Sequence, residues 1–133
     1  MPILGSMTVR TTVFIAEDSP SIRVRLVEML GQLDGVGVVG DAETPGEAIS
    51  GILRTNPDYV VLDYQLNGGT AVDVLRAVRP KTPATIFLVL TNHTIPQYRR
   101  LCLDEGASGF FDKSLEFEKV LELIAAANPA QRE

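Results

Sequence analysis

Short apolar runs that do not alternate with polar residues leave this chain few architectures. The runs are Thr12 to Ala16, Val36 to Gly40, Tyr59 to Leu62, Thr85 to Leu90 and Ser108 to Phe111, and most present apolar side chains on both faces. Strands of that kind belong in a parallel sheet covered on both sides, because a half-solvated strand would read apolar-polar-apolar. Between them the apolar period changes to three and four. Ile22, Leu26, Met29, Leu30 and Leu33 share one helical face, as do Pro45, Ala48, Ile49, Ile52 and Leu53, and Ala71, Val74, Leu75 and Val78. Ile95, Tyr98 and Cys102 mark a fourth helix, and Phe117, Val120, Leu121 and Ile124 a fifth, with Ser114 as its expected cap and Glu116 and Glu118 near its start. Turn signals at Asp34-Gly35, Asn56-Pro57, Gly68-Gly69 and Glu105-Gly106 separate the pieces. Five strands alternating with five helices predict an α/β doubly wound parallel sheet of order 2-1-3-4-5. Such sheets bind ligands beyond the carboxyl ends of their strands, where the order reverses.

The 133 residues are enough for one domain that buries about two-thirds of its unfolded surface. The single cysteine, Cys102, cannot form an internal disulfide, and with His93 alone it cannot complete a tetrahedral zinc site, a composition that suits a reducing cytoplasm. A net charge of -5 with scattered basic residues, apart from Arg99-Arg100, argues against general nucleic-acid binding. No apolar run approaches the ~20 residues of a membrane span. Residues 1–11 read as an N-terminal extension in which Gly5-Ser6-Met7 looks like a cloning scar, and residues 128–133 as a C-terminal tail.

At the predicted exits stand Glu17-Asp18, Asp63, Thr91-Asn92 and Asp112-Lys113. An acid after a strand is usually a cap or turn residue, so none of these is informative alone. Their coincidence at one sheet edge is. Two carboxylates about 4 Å apart repel by about 4 kcal/mol at the effective dielectric of a protein surface. Lys113 supplies one positive charge, and a hard divalent ion such as Mg²⁺ suits the remaining oxygen donors. Asp63, held at the end of a buried strand beside a lysine and such an ion, is a poised nucleophile for phosphoryl transfer.

The segments "FIAEDSPSIRVRLVEML", "PDYVVLDYQLNGGTAVDVLRAVR", "VLTNH" and "GASGFFDKS" together resemble the receiver domain of bacterial two-component response regulators, over about Thr12 to Ala127. The resemblance implies a flavodoxin-like fold over residues 12–127 and a signalling phosphoprotein rather than an enzyme with a separate substrate. It implies that Asp63 accepts a phosphoryl group from a sensor histidine kinase or phosphotransfer protein. The Mg²⁺ ligands would be Asp18 directly, Glu17 through water, Asp63 itself, and Gln65 through its backbone carbonyl. Lys113 would pair with a phosphate oxygen, Thr91 would move toward the phosphate, and Phe110 would rotate inward as the reporting aromatic. The output surface would lie around the fourth helix, fifth strand and fifth helix.

Some positions depart from the family pattern. Ser114 follows the lysine where proline is common, Glu17 replaces an aspartate, and Asn92 stands where a small residue is frequent. Asn92 and Gln65 flank the path of an attacking water and are expected to tune the lifetime of the phosphorylated state. His93 reads as a solvated loop histidine. The chain after Ala127 is too short for an output domain, so the expectation is a stand-alone receiver signalling by contact with an unidentified protein. A receiver fragment of a longer regulator or hybrid kinase is the alternative. Leu115 and Leu123 fall off the buried stripe and suit a partner or homodimer surface. A flavin carrier of the same fold needs a Ser-, Thr- and Gly-rich loop after the first strand, and that loop here begins with two acids. An Asp-nucleophile phosphatase needs a second Asp two residues on, where this chain has Gln65.

Overall fold

The computed structural model describes residues 9–92 and 94–127. His93 and the two terminal segments assigned to a scar and a tail lie outside the described residues. The five strands are β1 (Thr11–Ala16), β2 (Val36–Ala42), β3 (Tyr59–Asp63), β4 (Ile86–Thr91) and β5 (Gly109–Asp112). The helices are α1 (Pro20–Gly31), α2 (Pro45–Thr55), α3 (Ala71–Val78), α4 (Pro96–Asp104) and α5 (Phe117–Ala127). All four strand pairings are parallel, in the order β2-β1-β3-β4-β5 that the sequence predicts. A two-stranded hairpin, Gln65–Leu66 against Gly69–Thr70, follows β3 and was not foreseen. Among the described residues no helix is long and apolar enough to cross a membrane.

Successive residues of the central strands enter opposite cores, which is why their sequence shows no polar alternation. Phe14, Ala16, Val60, Leu62, Phe87, Val89 and Phe110 pack against α2, α3 and α4. Val13, Ile15, Val61, Leu88 and Leu90 pack under α1 and α5. Each large side chain so enclosed contributes about 1.5–3 kcal/mol. The edge strand β2 differs, with only its end residues Val36 and Ala42 buried.

The helix starts follow local chemistry. Ser19 and Thr44 accept backbone N–H bonds ahead of Pro20 and Pro45, and Thr70 forms a reciprocal capping box with Asp73. The foreseen turns close on Gly35, Asn56, Gly68 and Gly106, all in the left-handed region. Three expectations fail. Ile22 and Leu53, placed on buried faces, are exposed at the margins of their helices. Ser114 does not cap α5, which starts at Phe117. The turn before it is built on Asp112, whose carboxylate accepts the N–H groups of Ser114 and Leu115 while its own N–H donates to Glu116 Oε1.

Phe14 occupies a slot between β2 and α2 that exists because Gly51 has no side chain. A Cβ there would lie 2.4 Å from Phe14 Cε2 and 2.5 Å from Cζ. Replacing a helical glycine by alanine ordinarily stabilises by up to about 1 kcal/mol. Here the sign should reverse, because the ring is fully enclosed and cannot yield. Gly51→Ala is expected to lower the unfolding free energy by about 1–3 kcal/mol. Gly46→Ala in the same helix, where a Cβ meets nothing within 4 Å, is the control and should not destabilise. Equal urea midpoints for the two variants would contradict this account.

Candidate functional site

Strands β1, β3, β4 and β5 all end at one edge of the sheet, and their exit residues meet there. A pocket of about 510 Å³ is lined by Glu17, Asp18, Asp63, Gln65, Thr91, Asn92 and Lys113, together with Ser19, Ile22, Tyr64, Ile95 and Tyr98. Of the described residues singled out from sequence, Asp112 and Phe110 are absent from the lining: the Asp112 carboxylate accepts the N–H groups of Ser114 and Leu115, and Phe110 stands apart. It is buried one layer below, in the core beneath α4.

The side chains of Glu17, Asp63 and Lys113 are largely enclosed, and Asp18 is half-buried. Lys113 Nζ donates to Glu17 Oε1 at 2.8 Å and to Asp63 Oδ2 at 3.2 Å. Glu17 is 1% exposed, and its second oxygen accepts the Ser19 N–H at 3.0 Å. Glu17, Asp18 and Asp63 each offer an oxygen within 4.8 Å of the others. Burial pushes the Asp63 carboxyl up to about 7, with the Glu17 charge acting the same way and Lys113 opposing both. For Lys113, burial disfavours the charge, but its bonds to Glu17 and Asp63 and their charges outweigh it and hold the ammonium above its usual range.

This donor set fits a hard divalent cation. It contains only carboxylate oxygens, and three acids facing one lysine leave a deficit of two positive charges. Nothing in it suits a softer metal.

Two features were not foreseen. Tyr64, the neighbour of Asp63, stacks on Tyr98 of α4 with ring centroids 4.4 Å apart and planes 12° from parallel. Tyr98 therefore packs, as expected of it, and also walls the pocket. Arg23 on α1 donates to the carbonyl of Glu17 at 2.8 Å and pairs with Glu43 at 3.4 Å. An arginine on an amphipathic helix reads as solvated surface, so no local sequence signal marks it.

The response regulator receiver domain model matches residues 13–125. The chain belongs to that family. The receiver is 32% identical over 114 residues to the DNA-binding transcriptional activator DevR/DosR of Mycobacterium tuberculosis, covering 86% of this chain and 51% of the relative. It is 30% identical over 112 residues to a nitrate/nitrite response regulator protein homolog of Haemophilus influenzae, covering 84% and 54%. A crystal structure of a LuxR-family two-component response regulator from Aurantimonas sp. SI85-9A1 superposes with a TM-score of 0.79 at 27% identity, covering 92% of each chain. The receiver spans about half the length of the curated relatives it matches.

Proposed function

We propose that this receiver takes a phosphoryl group onto Asp63 from a phosphohistidine of a sensor kinase or phosphotransfer protein. The supporting observation is the convergence of Glu17, Asp18, Asp63 and Lys113 at one sheet edge. An Asp63 oxygen attacks phosphorus, the phosphorus–nitrogen bond breaks, and the leaving imidazole keeps the electron pair. Lys113 already lies on Asp63 Oδ2 and neutralises an incoming phosphate oxygen without moving far. Glu17, Asp18, Asp63 and the Gln65 backbone carbonyl would hold Mg²⁺, which supplies charge neutralisation for the transferring group. Both Glu17 oxygens are engaged by Lys113 and Ser19, which supports a role for Glu17 through water and for Asp18 directly. Thr91, buried at the end of β4, turns toward the phosphate, and Phe110, the expected reporting aromatic, already lies inward in this structure. Incubation with Mg²⁺ and acetyl phosphate tests the reading: the intact mass should rise by one phosphoryl group, and an unchanged mass would sink it.

Asn92 and Gln65 are exposed at the pocket mouth, where a hydrolytic water must enter. Each single alanine variant should change the dephosphorylation rate severalfold. Wild-type rates in both would remove them from the mechanism.

The signal leaves through protein contact at α4, β5 and α5, where Leu101, Leu103, Leu115 and Leu123 are exposed. The partner is another protein or a second copy of the chain, and the net charge of -5 with scattered basic residues argues against general nucleic-acid binding by these residues. The chemistry of residues 12–127 is limited to their own phosphorylation and dephosphorylation. A second reading, favoured by the relatives' greater length, makes residues 12–127 the receiver part of a longer transcription regulator. The length of the open reading frame decides between them.

A further inference from the structure

Three loops at the site edge are joined by one polar chain that lies outside the pocket. Arg23 Nη1 donates to the Glu17 carbonyl in the β1–α1 loop, and Arg23 Nη2 pairs with Glu43 Oε1 in the β2–α2 loop. Glu43 Oε2 accepts from Asn67 Nδ2 at 3.2 Å, and the Glu43 carbonyl accepts the Asn67 N–H at 3.1 Å. Asn67 sits at the tip of the hairpin that begins with Gln65, two residues after Asp63. The Arg23 side chain is only 17% exposed. Such a group bonds firmly, and its planar fork meets two acceptors at fixed angles.

We propose that Arg23, through Glu43 and Asn67, is a positioning residue that sets the spacing between the Glu17-Asp18 loop and the Asp63–Gln65 segment, and so sets the site's affinity for Mg²⁺. The inference rests on the metal site proposed above. The Glu17 carbonyl belongs to the peptide unit that leads into Asp18, so anchoring it fixes the direction of both acids. The Asn67 end fixes the segment that offers the Gln65 carbonyl. Three acids under mutual repulsion would otherwise spread.

Groups that hold metal ligands in place typically contribute 10–100-fold to affinity. Calorimetric titration of the full chain with MgCl₂ alone, well below the unfolding temperature, tests this. Wild type should bind, Arg23→Ala should bind about tenfold more weakly, and Arg23→Lys, which can satisfy one acceptor, should fall between. Asn67→Ala should weaken binding too, and the double variant should lose less than the product of the single losses, because both cut one chain. No Mg²⁺ binding by wild type would overturn the metal site itself. Wild-type affinity in Arg23→Ala, with only a lowered unfolding temperature, would overturn the brace and leave the site standing. Should Arg23→Ala fail to fold, Glu43→Gln, at a 40% exposed side chain, decides in the same way.

Discussion

Asp63→Asn should gain no mass under conditions in which wild type takes up one phosphoryl group from acetyl phosphate and Mg²⁺. The substitution keeps the shape of the side chain and removes its nucleophilic charge. Its effect on transfer is all or none, whereas its effect on the fold should be mild or favourable. Asp63 is 6% exposed and shares its pocket with Glu17 and Asp18, so an amide in its place removes repulsion that only Lys113 offsets. An unfolding midpoint at or above that of wild type, measured without divalent ions, would show that the lost mass gain is not lost structure. A variant that still gains the full mass would place the phosphoryl group on another residue and end the proposal.

Lys113→Ala is expected to have the largest effect on stability. The ammonium is the cation of this cluster, bonded to two acids that are themselves enclosed. Deleting one partner of a buried ion pair costs about 3–5 kcal/mol, because the remaining charge has neither water nor a counter-ion. The lower end applies here, since burial already brings the Asp63 carboxyl to about 7 and the cluster can take up a proton. Adding Mg²⁺ at about 100 times its dissociation constant should return about 2.7 kcal/mol. At one shared Mg²⁺ concentration the variant should gain more than wild type, because its site no longer contains a competing cation and binds the ion more tightly. Urea melts with and without MgCl₂ give both numbers. A midpoint that stays at the wild-type value without the ion would mean that the lysine contributes little to holding the acids together.

The architecture was legible because burial on two faces removes polar residues from β1, β3 and β4, leaving runs such as "YVVL" and "TIFLVL" whose shortness and flanking turn signals mark them as strands. The convergence of Glu17, Asp18, Asp63, Thr91 and Lys113 followed from topology alone, since parallel strands share one carboxyl edge. Features set by contacts distant in sequence were not legible. Arg23, Glu43 and Asn67 are ordinary surface residues until three loops meet. The Gln65–Thr70 hairpin has strands of two residues, too short for any period. The start of α5 falls later than expected because Ser114 is a good cap by type, while here its N–H and that of Leu115 bond Asp112 in a separate turn and the helix begins only at Phe117. Ile22 was assigned inward by its spacing, but it sits at the first turn, where the helix has cleared the sheet and borders the pocket.

The stacked pair beside Asp63 makes the receiver its own spectroscopic gauge. The chain has no tryptophan and three tyrosines, so tyrosine dominates its near-ultraviolet signal. Two of the three are Tyr64 and Tyr98, one joined to Asp63 through the backbone and the other carried by a helix whose sole fully enclosed side chain is Cys102. Circular dichroism near 280 nm, a wavelength of the tyrosine ring itself, therefore reports without any dye whether that helix stays seated on the loop after Asp63.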